Sequence, residues 1–216
     1  MENEDQNKKA TDNDARQEDT PEKIKSTPRR TIQIIWICDC SDSMKRSGIA
    51  KLNHIIQESI PHVKEYSENN PDVNIYFRGL KFSQKSEWIN NEPELAQDYE
   101  WHELATSPRS DLGNALRVIT SEYKSENFVP LAESNARLIF VLVSDGYPTD
   151  EWEEPMKEFL ANPVCNEAIR LVVPVKDDTN IPMDENLFSR FIGEDEQKEE
   201  HMIDTENSLF LLKFFE

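Results

Sequence analysis

The chain has only five glycines in 216 residues. None of them forms a glycine-rich phosphate cradle, so the sequence offers no nucleotide loop of that kind. Histidine is equally sparse. His54, His62, His102 and His201 are scattered, with no pair at metal-ligand spacing, and read as satisfied or exposed side chains rather than zinc ligands. The three cysteines, Cys38, Cys40 and Cys165, do not have zinc-site spacing either. Cys38 and Cys40 share one strand-like run, whose alternation is expected to keep them from bridging each other. All three read as reduced, small buried fillers, which suits a cytoplasmic protein. No apolar run approaches the length of a membrane span, and the amino terminus lacks the charged-then-apolar pattern of a signal peptide. No nucleophile–base pair stands out. Basic residues are outnumbered, 24 Lys and Arg against 43 Asp and Glu, for a formal net charge of -19. Such a surface disfavours nucleic acid and anionic membranes as partners, and favours cations and basic protein surfaces.

What is present divides into a polar leader and a patterned remainder. Residues 1–30 are rich in Asn, Asp, Glu and Lys and almost free of apolar side chains. Such a segment cannot offset its ordering entropy by burial and is expected to be a disordered tail, solvated or used for docking. Residues 31–216 carry alternating strand and helix signals. The run from Thr31 to Cys38 is β-branched and apolar on both faces, as in a central buried strand. Ile49, Leu52, Ile55, Ile56, Ile60 and Val63 recur at helical spacing over 47–66, where Pro61 is expected to kink or end the helix. Val73, Ile75 and Phe77 alternate with polar residues, which predicts a half-buried strand near an edge, with 86–89 pairing beside it. Helix 111–123, strand 138–143, helix 151–160 and strand 169–175 follow. A helix at 187–192, a short strand at 202–203 and a helix at 209–215 complete the pattern. The expected fold is α/β: a doubly wound, mostly parallel central sheet flanked by helices, with one antiparallel edge strand. In such sheets ligands sit beyond the carboxyl ends of the strands.

The candidate chemistry lies at those ends. After the first strand comes Asp39-Cys40-Ser41-Asp42-Ser43-Met44, with oxygen-bearing side chains at alternate positions Asp39, Ser41 and Ser43. As the strand curls into the helix, these three can converge above the sheet. Strand 138–143 leads to Asp145, followed by Gly146, which permits a tight turn. Ser110 precedes the helix opening Asp111-Leu112-Gly113-Asn114-Ala115-Leu116, where a helix N-cap is its bland role. Carboxylate and hydroxyl oxygens suit a hard divalent cation, Mg²⁺ first, with Mn²⁺ or Ca²⁺ possible.

Together these residues resemble the metal-ion-dependent adhesion site of the von Willebrand factor A domain family. The family's Asp-x-Ser-x-Ser falls on Asp39, Ser41 and Ser43, its threonine on Ser110, and its second aspartate on Asp145. The similarity spans 31–216. The resemblance implies one metal held by Asp39, Ser41, Ser43, Ser110 and Asp145, with a coordination position left for a Glu or Asp of a protein partner. The stretches Cys38-Asp39-Cys40-Ser41-Asp42-Ser43-Met44, Ser110–Leu116 and Asp145-Gly146-Tyr147-Pro148-Thr149-Asp150 are most similar to the bacterial TerY-like branch, linked to tellurium resistance and stress response. That branch implies a cytoplasmic, non-catalytic scaffold working beside stress proteins, kinases and phosphatases. Two positions depart from the family pattern. Asp42 stands where glycine is usual, and Ser110 replaces threonine while keeping the hydroxyl.

Two other readings compete. The five residues could be turn and cap residues of a metal-independent interaction domain with a vestigial site. An aspartate ending the first strand also fits a Mg²⁺-dependent phosphatase of the haloacid-dehalogenase type. That chemistry needs a second acid two residues on, where this chain has Ser41. Trp36, Trp88, Trp101 and Trp152 read as core or edge packing. Glu194-Asp195-Glu196 with Glu199-Glu200 reads as a solvated loop, lacking the spacing of a calcium loop, and Asp177-Asp178 reads as a solvated turn.

Overall fold

The computed structural model describes residues 29–124, 136–176, 183–193 and 199–215. The expected tail up to residue 28, Asp177-Asp178 and Glu194–Glu196 lie outside the described residues.

Strand β1 (Arg30–Asp39) is buried from Ile32 to its end, because it has neighbours on both edges and helices on both faces. It pairs in parallel with β2 (Val73–Phe82) on one side and with β5 (Ala136–Ser144) on the other, and β5 pairs in parallel with β6 (Ile169–Pro174). The short strands β3 (Ser86–Trp88) and β4 (Glu94–Leu95) both run antiparallel to β2. The sheet order is β3-β2-β1-β5-β6, with β4 also on β2. Beyond β6, Val172 accepts the Ile203 N–H and donates to the His201 carbonyl, a parallel bridge where the short strand at 202–203 was expected.

Helix α1 (Ser47–Asn69) covers one face. Its Leu52, Ile55, Ile56, Ile60 and Val63 pack with Ile32, Ile34 and Trp36 of β1, Ile75 and Phe77 of β2, and the terminal residues Phe210, Leu211 and Phe215. Helices α2 (Leu112–Glu122), α3 (Glu153–Ala161), α4 (Pro163–Glu167) and α5 (Glu185–Ile192) cover the other, against Ile35 and Ile37 of β1 and Phe140 and Leu142 of β5. The period of two in the strands therefore serves both layers at once, and the α/β, doubly wound architecture is as expected. Each such fully buried side chain stabilises the fold by roughly 1.5–3 kcal/mol relative to exposure.

β2 lies next to the edge, as expected, with only the short β3 and β4 outside it. Its first half alternates because Asn74 and Tyr76 are only half-buried, while β4 and β3 cover it further on. Arg78, 5% exposed, sits over the Trp88 ring at 3.7 Å and donates to Glu122 Oε1 at 3.0 Å and to the Asn91 carbonyl, so a buried charge on β2 is fully engaged. Several local expectations differ. Residues 209–215 wind as a 3-10 helix (Phe210–Phe214) rather than an α-helix. Cys38 and Cys40 lie two apart and share a face, so alternation is not what separates them; both are buried in the α1 layer, and all three thiols are free. Helix α4, unforeseen, begins at Pro163 with Asn162 Oδ1 accepting the Val164 and Cys165 N–H groups. Arg170 Nη1 donates to the carbonyls of Cys165, Asn166 and Ala168, and its Nε and Nη2 to those of Phe191 and Ile192, tying the ends of α4 and α5 together. Among the described residues no helix is long and apolar enough to cross a membrane.

Pro61 neither ends nor breaks α1, which runs eight residues past it. Proline lacks the N–H that would bond the Gln57 carbonyl, and Ser59 Oγ donates to the Ile55 carbonyl at 2.6 Å one residue pair earlier. Pro61 is exposed, so its replacement removes no packing. Pro61→Ala is expected to stabilise the protein by roughly 1–3 kcal/mol in urea unfolding. An unchanged or lowered midpoint would show that the helix has no cost to recover at this position.

Candidate metal centre

Asp39 is the last residue of β1, and its register partner on β2 is Phe82. Cys40 N–H donates to the Phe82 carbonyl at 2.8 Å, after which the chain leaves the sheet. Ser41 N–H turns back to Asp39 Oδ1 at 2.9 Å, and a single 3-10 turn, Asp42–Met44, follows. That turn brings the Ser41 and Ser43 hydroxyls within 2.8 Å of each other. Next to β1, β5 ends at Ser144, whose hydroxyl donates to Asp39 Oδ2 at 2.6 Å. Asp145 follows, with its Oδ1 accepting the Tyr147 N–H at 3.2 Å. Gly146 turns the chain away at φ +79°, with Phe188 of α5 only 2.9 Å from where a Cβ would sit.

Ser110 arrives from a distant part of the sequence. The segment 96–111 has no helix or strand, yet it is pinned at several points. Asn53 of α1 accepts the Leu104 N–H and the Trp101 indole N–H, and donates to the Leu104 carbonyl. Ser107 N–H donates to the Cys40 carbonyl, and Asp111 N–H to the Ser83 carbonyl. Thr149 closes the clamp: its N–H donates to the Ser110 carbonyl at 2.8 Å, and its hydroxyl accepts the Ser110 N–H at 3.0 Å. The Ser110 hydroxyl then reaches Asp39 Oδ2 at 3.5 Å. Ser110 is not the N-cap of α2. Asp111 occupies that position, and Asp150 Oδ2 accepts the Gly113 N–H at 2.8 Å from across the loop.

The structure thus brings Asp39, Ser41, Ser43, Ser110 and Asp145 to one place. All but Ser43 are nearly sealed: Asp39 is 0% exposed, Asp145 and Ser110 1%, and Ser41 2%. Burial pushes the Asp39 carboxyl up to about 6, and the negative charge of Asp145 adds to the shift, against the pull of the Ser144 and Ser41 hydrogen bonds. Asp39 has no cationic partner among the described side chains. Two buried carboxylates held together among hydroxyls form an all-oxygen set whose repulsion a hard cation relieves, so the residues present fit a divalent ion of the Mg²⁺ or Ca²⁺ kind. Among the described residues no group of three or more His, Cys, Asp or Glu gathers, so the candidate centre depends on hydroxyls for most of its donors. Asp42 does not crowd it: the side chain is about half exposed and pairs with Lys45 at 2.8 Å.

Ser144 and Asn53 were not singled out from the sequence, and Thr149 and Asp150 stood there only as part of the motif Asp145–Asp150, with no role of their own. Ser144 orients Asp39, and its place follows from the β1–β5 register, in which Cys38 faces Val143. The others fix the loops that deliver Ser110.

No family model matches the chain, and no curated protein does. Among solved structures it is similar to the ArnB paralog VWA2 from Sulfolobus acidocaldarius, at 17% identity with a TM-score of 0.44, over 68% of this chain and 35% of that one. The chain spans about a third of that protein's length.

The Asp39 shift has a measurable consequence in metal-free protein. Its folded value, about 6, lies above the ordinary 3.8. The stability this group contributes is fully present below pH 3.8 and is lost as pH rises through 6. In chelator, wild type measured against Asp39→Asn is expected to lose on the order of 3 kcal/mol between pH 4 and 7 by chemical denaturation. A difference that is flat across that window would mean Asp39 titrates normally.

Proposed function

We propose that the chain is a non-catalytic protein-interaction module in which Asp39, Ser41, Ser43, Ser110 and Asp145 hold one divalent cation, Mg²⁺ first and Mn²⁺ or Ca²⁺ as alternatives. The observation that carries this reading is the burial of Asp39 beside Asp145 with three converging hydroxyls. A bound cation would supply a Lewis-acidic position that favours a carboxylate from outside. The chain's own residues do the rest. Ser144 and the Ser41 amide fix both oxygens of Asp39, the Tyr147 amide fixes Asp145, and the Thr149 clamp holds Ser110. Because neutral hydroxyls supply most of the donors, the ion keeps enough positive charge to attract one more anionic oxygen. The partner contributes that oxygen from a Glu or Asp. Nucleic acid and anionic membrane do not suit a chain of net charge -19.

The biological setting rests on the resemblance of the three motifs to the TerY-like branch: a cytoplasmic scaffold in a bacterial tellurium-resistance or stress system, with stress proteins, kinases or phosphatases as neighbours.

Thermal unfolding with Mg²⁺, Mn²⁺, Ca²⁺ or chelator, on wild type and Asp39→Ala, tests the proposal. A metal at a hundredfold excess over its dissociation constant stabilises the folded state by roughly 3 kcal/mol. Wild type should gain that increment and Asp39→Ala none. In chelator the variant loses a buried like-charge contact but also the acceptor of the Ser41 amide and the Ser144 hydroxyl, so the test reads each protein's response to metal against its own chelator value. Equal responses from the two proteins, or none from either at high metal, would favour a metal-independent interaction domain with a vestigial site.

A further inference from the structure

The candidate centre is flanked by two backbone positions of an unusual kind. Among the described residues, the non-glycine positions with positive φ are Arg46 at +68° and Arg109 at +67°. The left-handed region is unfavourable for a side chain with a Cβ, and glycine or asparagine is the ordinary occupant. Both positions are arginine in a chain of net charge -19. Arg46 lies three residues after Ser43, where the 3-10 turn meets α1, and Arg109 directly precedes Ser110. Both are exposed, and neither makes an ion pair or side-chain hydrogen bond within the described residues. The backbone on either side of both positions is held by hydrogen bonds, yet neither arginine side chain has a partner within the described residues, and such outliers cluster at functional sites.

A recess opens beside Ser110. Arg109 and Arg117 line it, together with Asp111 and Asp150. Burial raises the Asp150 carboxyl and the charge of Asp111 adds to the shift, while the Gly113 amide offsets it only in part. Asp150 Oδ2 accepts the Gly113 N–H, and Asp111 occupies the N-cap position, so both sit against the positive end of α2. Arg117 is held only by an exposed contact of 3.8 Å with Glu158, which water and salt weaken. Lys45, next to Arg46, is already matched by Asp42. Among the described residues, the unpaired guanidinium groups on the segments that deliver the site are therefore those of Arg46, three residues after Ser43, and Arg109, directly before Ser110 and lining the recess. Guanidinium binds carboxylate in a planar, two-point geometry.

We propose that Arg46 and Arg109 are specificity-determining residues that receive further carboxylates of the partner, so that the partner element is an acidic peptide segment with several Asp or Glu side chains rather than an isolated one. This rests on the metal-dependent reading above, in which one carboxylate goes to the cation. The flanking acids of the same segment meet the arginines, and the acidic remainder of the surface rejects peptides whose acids are not aligned with them.

The test is binding of a hexaglutamate peptide and of a glycine-serine peptide with one glutamate, in Mg²⁺, to wild type and to the Arg46→Gly/Arg109→Gly double variant. Glycine suits both backbone positions, so the variant should unfold at the same or a higher temperature. Arg46→Asn/Arg109→Asn provides a second variant compatible with positive φ. Wild type should bind hexaglutamate at least tenfold more tightly than the single-glutamate peptide, with the preference shrinking as salt is added, and both variants should lose that preference. Variants that keep the wild-type preference, or a wild type without one, overturn the proposal. The Mg²⁺-dependent shift in unfolding temperature reads the metal site separately. If it is absent while arginine-dependent hexaglutamate binding persists, the metal reading falls and the arginine surface stands.

Discussion

Two carboxylates, Asp39 and Asp145, end adjacent parallel strands and are buried side by side. Their mutual repulsion, in a place water does not reach, is the constraint to which the surrounding structure answers. Asp39 is held at one oxygen by the Ser41 amide and at the other by the Ser144 hydroxyl, with Ser110 nearby. These bonds stabilise the charged form, yet they do not outweigh burial and the neighbouring charge, which leave the carboxyl at about 6. Such a pair is costly in an isolated fold, and a cation among the oxygens would offset the cost.

The fold makes this contact unavoidable. Parallel pairing of β1 with both β2 and β5 sets the three carboxyl ends level, so the loops leaving them meet at one point. Those loops are then laced together by backbone hydrogen bonds: Cys40 to Phe82, Ser107 to Cys40, Asp111 to Ser83, Val175 to Ser144 and Thr149 to Ser110. The rigid layers beneath, with Trp36 and Phe77 on one face and Phe140, Phe159 and Phe191 on the other, hold the strand ends in register. A site on loops thus gains the precision of the sheet.

Much of this was legible in the sequence. The β1 run is apolar on both faces, which places it centrally, and Asp39, Ser41 and Ser43 sit at alternate positions within one turn of chain. Asp145 is marked by the glycine after it. Information that depends on pairing was hidden. Ser144 matters because the register sets it beside Asp39, and nothing local distinguishes it from any strand-end serine. Asp150 and Asn53 act on residues 37 and 51 positions away. Pro61 was expected to interrupt α1, but the buried stripe from Leu52 to Val63 outweighs one lost hydrogen bond. The alternation in the first half of β2 marked a half-buried strand near the edge, with only two short antiparallel strands outside it.

The most direct test of the oxygen cluster as a metal centre is a crystal structure of the protein grown with Mn²⁺, read by the anomalous scattering of the manganese. A single strong peak bounded by oxygens of Asp39, Ser41, Ser43, Ser110 and Asp145 is the expected result. A map with no peak at that point, or with manganese bound only elsewhere on the acidic surface, would contradict it.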